Sequence, residues 1–325
     1  MRSPRERSRR VQNTELRPLG AGEILDRAVT LFVRRFVPIV VVLAMAIVPL
    51  LLCEALIAPG SARMFTDLGR VVASTAGGRD SAAATAALAR DQAGVGQYVI
   101  VMLLSVVVRL LMWSAILAVA SAAYAGATTP FGTAYRLALR CWPSQALVAL
   151  TFAIIASVLF VPVIVAYAIS AAGVLGLMAL HAEVIAVIFG VVAAIVVLGG
   201  LLVIGAWVYM TYQLASAAVV IESMNPIAAV TAALRRSFAR QTWWRTVAAG
   251  LIVLTVTQGA ALVFAALGLL VATLAHFTQL SFVVLGLGTI IVEGVLAVFV
   301  VVFSTDVRVR REGLDLLAQT EPVPA

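Results

Sequence analysis

Two ionisable residues, Arg109 and Glu293, stand deep inside apolar runs of this 325-residue chain. A charge at the centre of a bilayer costs several kcal/mol unless it meets a partner or a water-filled cavity. The two lie at about the same distance from the outer ends of their runs, so their depths match. They admit an ion pair joining two helices, a polar path for an ion or solute, or no meeting at all. Other constellations are weaker. His181 and Glu183 are two residues apart and His276 lies near another predicted turn, but ligands so loosely spaced make a poor metal site. Cys53 and Glu54 have no nearby His to act as base. The chain contains no GxxxxGK[ST] loop, so transport by it would draw on a gradient or a separate motor. We assign no catalytic, cofactor-binding or metal-ligating residue and expect a non-enzymatic protein.

The elements that must position Arg109 and Glu293 follow from composition. The chain is 63% hydrophobic and 12% charged, with a mean hydropathy of +1.09. Ordinary soluble domains run near 45–50% apolar and about 25% charged, so a water-soluble fold is excluded. Crossing a hydrocarbon core of roughly 30 Å takes about 20 apolar residues in a helix, because unsatisfied backbone groups are too costly in lipid. Runs of that kind occupy 36–58, 97–125, 145–167, 184–212, 247–274 and 280–304. Residues 168–183 read as an outer connection, either an apolar extension or a re-entrant turn. Trp207, Tyr209 and Tyr212 close the fourth run as an aromatic belt. Gly199, Gly200, Gly205, Gly286 and Gly288 fit close helix packing. The expected fold is therefore an all-α integral membrane protein of six transmembrane helices.

Orientation follows from arginine. All 23 basic residues are Arg in an Ala- and Val-rich chain, which points to a GC-rich bacterial genome. Eighteen Arg fall on one side of the six spans, while Arg63, Arg70, Arg79 and Arg90 share the outer loop 60–96 with Asp67, Asp80 and Asp91. The positive-inside rule then puts both termini in the cytoplasm of a bacterial plasma membrane. Residues 1–18 form an Arg-rich tail without order, 19–305 the membrane domain and 306–325 a second cytoplasmic tail. The first 35 residues carry nine Arg and four acids and lead to no small-residue cleavage site, so the N-terminus is expected to be retained. Cys53 and Cys141 fall on opposite sides and are not expected to form a disulfide.

A repeat emerges when the spans are paired. Thr129-Pro130 and Asn225-Pro226 are helix starts, a capping side chain followed by Pro at the first position, and Gly20 with Glu23 is a poorer version. We expect three hairpin units, with cytoplasmic amphipathic helices before helices 1, 3 and 5. In the first, Ile24, Leu25, Ala28, Val29 and Phe32 form the apolar face; in the third, Ile227, Val230 and Leu234 do so. Arg27, Arg34, Arg35, Arg136, Arg140, Arg235, Arg236 and Arg240, with Trp243 and Trp244, are the expected lipid-headgroup contacts. Membrane phospholipids, and other membrane proteins, are the expected partners; nucleic acid is not.

Three separated stretches resemble one family. Leu16-Arg17-Pro18-Leu19-Gly20-Ala21-Gly22-Glu23-Ile24-Leu25-Asp26-Arg27-Ala28 resembles the opening of proteins related to the membrane domain of glycerophosphoryl diester phosphodiesterase. Glu222-Ser223-Met224-Asn225-Pro226-Ile227-Ala228-Ala229, continuing through Arg235-Arg236-Ser237-Phe238, looks like its cytoplasmic helix. Asp306-Val307-Arg308-Val309-Arg310-Arg311-Glu312-Gly313-Leu314-Asp315 looks like its closing motif. The resemblance implies the membrane fold alone: the family's phosphodiesterase chemistry belongs to a separate soluble domain for which this chain has no counterpart. The expected role is a scaffold or accessory subunit with anionic-lipid contacts. The alternative is a transporter or permease for a lipid-like or small solute, through a polar path at Arg109 and Glu293. A cavity reaching that pair would favour the second; a solid six-helix core would favour the first.

Overall fold

The computed structural model describes residues 19–57, 92–240, 242–275 and 279–312. Among these the chain is wholly helical, with eight helices and no strand: α1 (Ala21–Arg34), α2 (Phe36–Ile57), α3 (Gln92–Tyr124), α4 (Phe131–Ala179), α5 (Glu183–Ile221), α6 (Pro226–Phe238), α7 (Trp243–Ala275) and α8 (Gln279–Glu312). Six of them, α2, α3, α4, α5, α7 and α8, are long and apolar enough to cross a membrane. The outer loop 60–96 lies almost wholly outside the described residues, as do His276, the tail 1–18 and residues 313–325.

Apolar runs locate crossings but understate helices. The segment from Thr129 to Arg140, expected as a separate helix, is instead the first part of α4, which runs unbroken for 49 residues through Pro143 and Pro162. The stretch 168–179 is neither turn nor re-entrant loop but the end of the same helix. Its partner α5 has 39 residues. At 1.5 Å per residue the two are about 73 and 58 Å long, roughly twice a bilayer core. They turn back on each other at Leu180–Ala182, where His181 takes a left-handed φ of 57°. The returning helices touch near that turn: a Cβ on Gly173 would meet the Phe189 ring at 2.9 Å, and one on Gly190 would meet Val174 at 3.3 Å.

The core sits toward one end of the bundle. Ile116, Leu117, Met210, Leu214 and Val298 are all but fully buried, and every described residue from Leu296 to Ser304 is buried. Most large side chains in the other half face outward, as lipid solvation permits: Ile154, Val158, Ile195 and Leu262 are exposed. Small residues bring the backbones together. A Cβ on Gly250 of α7 would overlap the Ala206 carbonyl of α5, a clash with backbone that no rotamer relieves. Gly286 seats Leu51 of α2, and Gly288 seats Phe264 of α7. Gly199 and Gly200, expected at a contact, face open space. Gly250→Ala is therefore expected to force α5 and α7 apart at a cost of about 1–3 kcal/mol, read as earlier unfolding in detergent, whereas Gly199→Ala is expected to leave stability unchanged or slightly raised.

The two short helices are docked to this core. α1 packs on α8: the Leu19 N–H donates to the Asp306 carboxylate, and in the last turn of α1 the Phe32 ring covers Gly294. Ile24, Ala28 and Phe32 are buried while Leu25 and Val29 are exposed, so three of the five residues of the expected apolar face turn inward. α6 begins at Asn225, whose side chain accepts from the Ala228 N–H. Its buried residues are Ala229, Val230, Ala233, Arg236 and Ser237. Of the expected apolar face, Val230 is buried, Leu234 is half-buried against the core and Ile227 is exposed. Small residues allow backbones to approach, and Ala229 and Ala233 turn inward together with Val230.

Candidate functional site

Arg109 lies midway along α3 and Glu293 midway along α8, and the two meet: Arg109 Nη1 is 3.8 Å from Glu293 Oε1. That separation is an electrostatic contact, longer than a hydrogen bond. Glu293 is largely enclosed and Arg109 is 59% exposed, so the pair is the rim of an opening rather than a buried tie. Behind it lies a cavity of about 300 Å³ between α3, α5, α7 and α8. Its polar lining is Arg109, Tyr209, Thr257, Gln258, Thr289 and Glu293, closed by Leu254, Phe264, Gly288 and Leu296.

Local sequence explains this placement. On α7, Leu254, Gln258 and Ala261 recur at helical spacing, and on α8 Leu285, Thr289, Val292, Glu293 and Leu296 do the same. Dense burial begins just past the pair, at Met112 on α3 and Leu296 on α8. The packed end of the bundle thus floors the cavity. Tyr209 lines it, Trp207 is 6% exposed and Tyr212 packs edge-on against Phe152 at 5.9 Å. The three aromatics expected as an interfacial belt face protein instead, because α5 continues nine residues beyond Tyr212.

Two ionic clusters hold the packed end. In the first, Asp306, 2% exposed, accepts from the Leu19 N–H at 2.7 Å and from Arg310 Nε at 3.1 and 3.0 Å, with Arg245 Nη1 3.4 Å away. Arg310 also donates to the Leu19 carbonyl at 2.7 Å. In the second, Arg236 grips Glu222 through two bonds of 2.7 and 2.8 Å, and Arg308 Nε lies 3.7 Å from the same carboxylate. Arg236 was expected among the headgroup contacts; it is 7% exposed and turned inward, its charge met by Glu222. Arg34, Arg136, Arg140, Arg235, Arg240 and Trp244 are exposed, while Arg27, Arg35 and Trp243 are half-buried. Asp26, Arg27, Thr30, Arg34 and Tyr124 line a second cavity of about 280 Å³. His181 and Glu183 sit at the α4–α5 turn, and among the described residues no group of His, Cys, Asp and Glu is placed to hold a metal. Cys53 and Cys141 are free thiols.

Sequence reasoning missed both clusters. Arg236 has the composition of a surface residue, and only its register with Ala229 and Ala233 marks it as inward. Asp306 and Leu19 are 287 residues apart. Comparisons with family models, with curated proteins and with solved structures return no match for this chain.

Proposed function

We propose that this polytopic membrane protein is a non-enzymatic transporter or permease that admits a polar group from the non-cytoplasmic side into the Arg109–Glu293 cavity. The observation that carries this reading is the cavity itself: about 300 Å³, polar on several walls and placed at mid-helix. A scaffold needs no such space, and leaving a carboxylate and a guanidinium beside a void in lipid is costly without a purpose. In this reading the protein lies in a bacterial plasma membrane, termini and clusters are cytoplasmic, and the packed end is the closed gate. The exposed Arg of the short helices then contact anionic phospholipid, each worth on the order of 1 kcal/mol. The hairpin units α2–α3, α4–α5 and α7–α8 are taken as the repeat, with α1 and α6 as its cytoplasmic helices. What supports the family resemblance is that the three stretches that carry it touch one another, through Leu19 with Asp306 and Glu222 with Arg236 and Arg308.

The test is water access. In a chain with Cys53→Ser and Cys141→Ser, a Thr289→Cys variant is expected to react with a small impermeant thiol reagent added outside intact spheroplasts. No reaction from outside, or equal reaction from the cytoplasmic face, would overturn the reading. In this reading Arg109 faces the water-filled opening and stays hydrated when its partner is neutralised, so Glu293→Gln is expected to cost under about 1 kcal/mol of stability. Unfolding of that variant in mild detergent would make the pair a structural tie instead.

A further inference from the structure

We infer that the cavity takes the head of a single-chain zwitterionic amphiphile whose hydrocarbon chain occupies a separate apolar groove on the far side of the α7–α8 contact. This rests on the reading of the cavity given above.

The groove has a volume of about 170 Å³ and is lined by Leu25 of α1, Val253, Val256 and Ala260 of α7, and Val295 and Phe299 of α8, among others. Only Thr257 brings a polar side chain to it. The groove and the polar cavity share four lining residues: Thr257, Phe264, Val292 and Leu296. They are therefore two chambers with one wall, and that wall is made of side chains. Phe264 rests on Gly288, where the missing Cβ leaves the ring its seat. A ring turning about its own χ angles can join the chambers without moving either helix. Along α8 the groove residues are centred about one helical turn closer to Asp306 than the cavity residues. The two chambers thus follow the direction of an outer-leaflet lipid, head outward and chain inward.

The chemistry of the polar chamber selects the head. One cation and one anion, Arg109 and Glu293, face it at a separation too long for a hydrogen bond. A phosphate meets the guanidinium and an ammonium meets the carboxylate, each by a charge-assisted bond. A head with net charge satisfies one and leaves the other beside it unpaired. The apolar groove then discriminates an amphiphile from a free zwitterion of the same head, since each buried methylene adds to affinity.

The experiment is native mass spectrometry of the full chain in mild detergent, titrated with lysophosphatidylethanolamine, lysophosphatidylglycerol or chain-free glycerophosphoethanolamine. Saturable binding of the first is expected, at least about tenfold tighter than the other two. Ala260→Phe, which fills the groove without touching the polar lining, is expected to abolish that preference. Val256→Trp serves the same purpose if Ala260→Phe does not fold. Glu293→Gln is expected to weaken binding about tenfold or more. Equal binding of lysophosphatidylethanolamine and the chain-free head, lost in Glu293→Gln, would sink the amphiphile inference and leave the cavity reading standing. Binding insensitive to both Glu293→Gln and the groove variants would be annular lipid only and would sink both.

Discussion

Glu222→Ala is expected to lower stability by about 3–5 kcal/mol, because it removes the carboxylate that takes two bonds from a buried guanidinium. Arg236 and Glu222 are 8% and 11% exposed and share two short bonds, so neither charge has water to fall back on. Glu222 also ends α5, where the helix dipole disfavours an acid; Arg236 and Arg308 together make that position tolerable. Removing the carboxylate leaves two guanidinium groups facing each other across the joint of α5, α6 and α8. Denaturant titration in mixed micelles reads the loss. Glu222→Gln with Arg236→Gln is expected to recover most of it, since the pair then leaves together. A double variant as unstable as the summed single variants would show that the two residues act independently.

Asp306→Ala is expected to cost about 2–3 kcal/mol and to release α1 from α8. The figure is smaller than for Glu222 because Arg245 and Arg310 are 38% and 26% exposed and keep part of their hydration. The structural effect is nevertheless wider. Asp306 accepts the Leu19 N–H, and Arg310 and Arg245 reach the Leu19 carbonyl, so one carboxylate organises the whole approach to α1. Limited trypsin digestion of the purified chain is expected to cut at Arg27 and Arg34 faster in Asp306→Ala than in the parent. Unchanged cleavage at both sites would mean that the buried contacts of Ile24, Ala28 and Phe32 hold α1 unaided.

The six crossings were legible because lipid admits few solutions: about 20 apolar residues must be helical, and the chain offers six such runs. Helix ends were not legible, since nothing in an apolar run marks where a helix stops once its backbone bonds are satisfied internally. Pro143 and Pro162 illustrate this, as both lie inside α4 without ending it. Faces were legible in part. Ile227 of α6 looks like a core residue but is exposed, while Val230 of the same expected face is buried beside Ala229 and Ala233 and Leu234 packs against the core. Arg109 and Glu293 stood out as charges among hydrocarbon. The cavity behind them did not, because it depends on which turns of four helices face one another.

The Leu19–Asp306 bond also sets an order in time. It closes across 287 residues. At a synthesis rate of roughly 5–20 residues per second, the start of the chain waits about 15–60 s on the ribosome before its acceptor is made. Until then α1 has nothing to latch to, and a truncated chain never acquires the acceptor. The docking of α1 thus comes last: the Leu19 N–H finds its acceptor only once the chain has been made through Asp306 of α8.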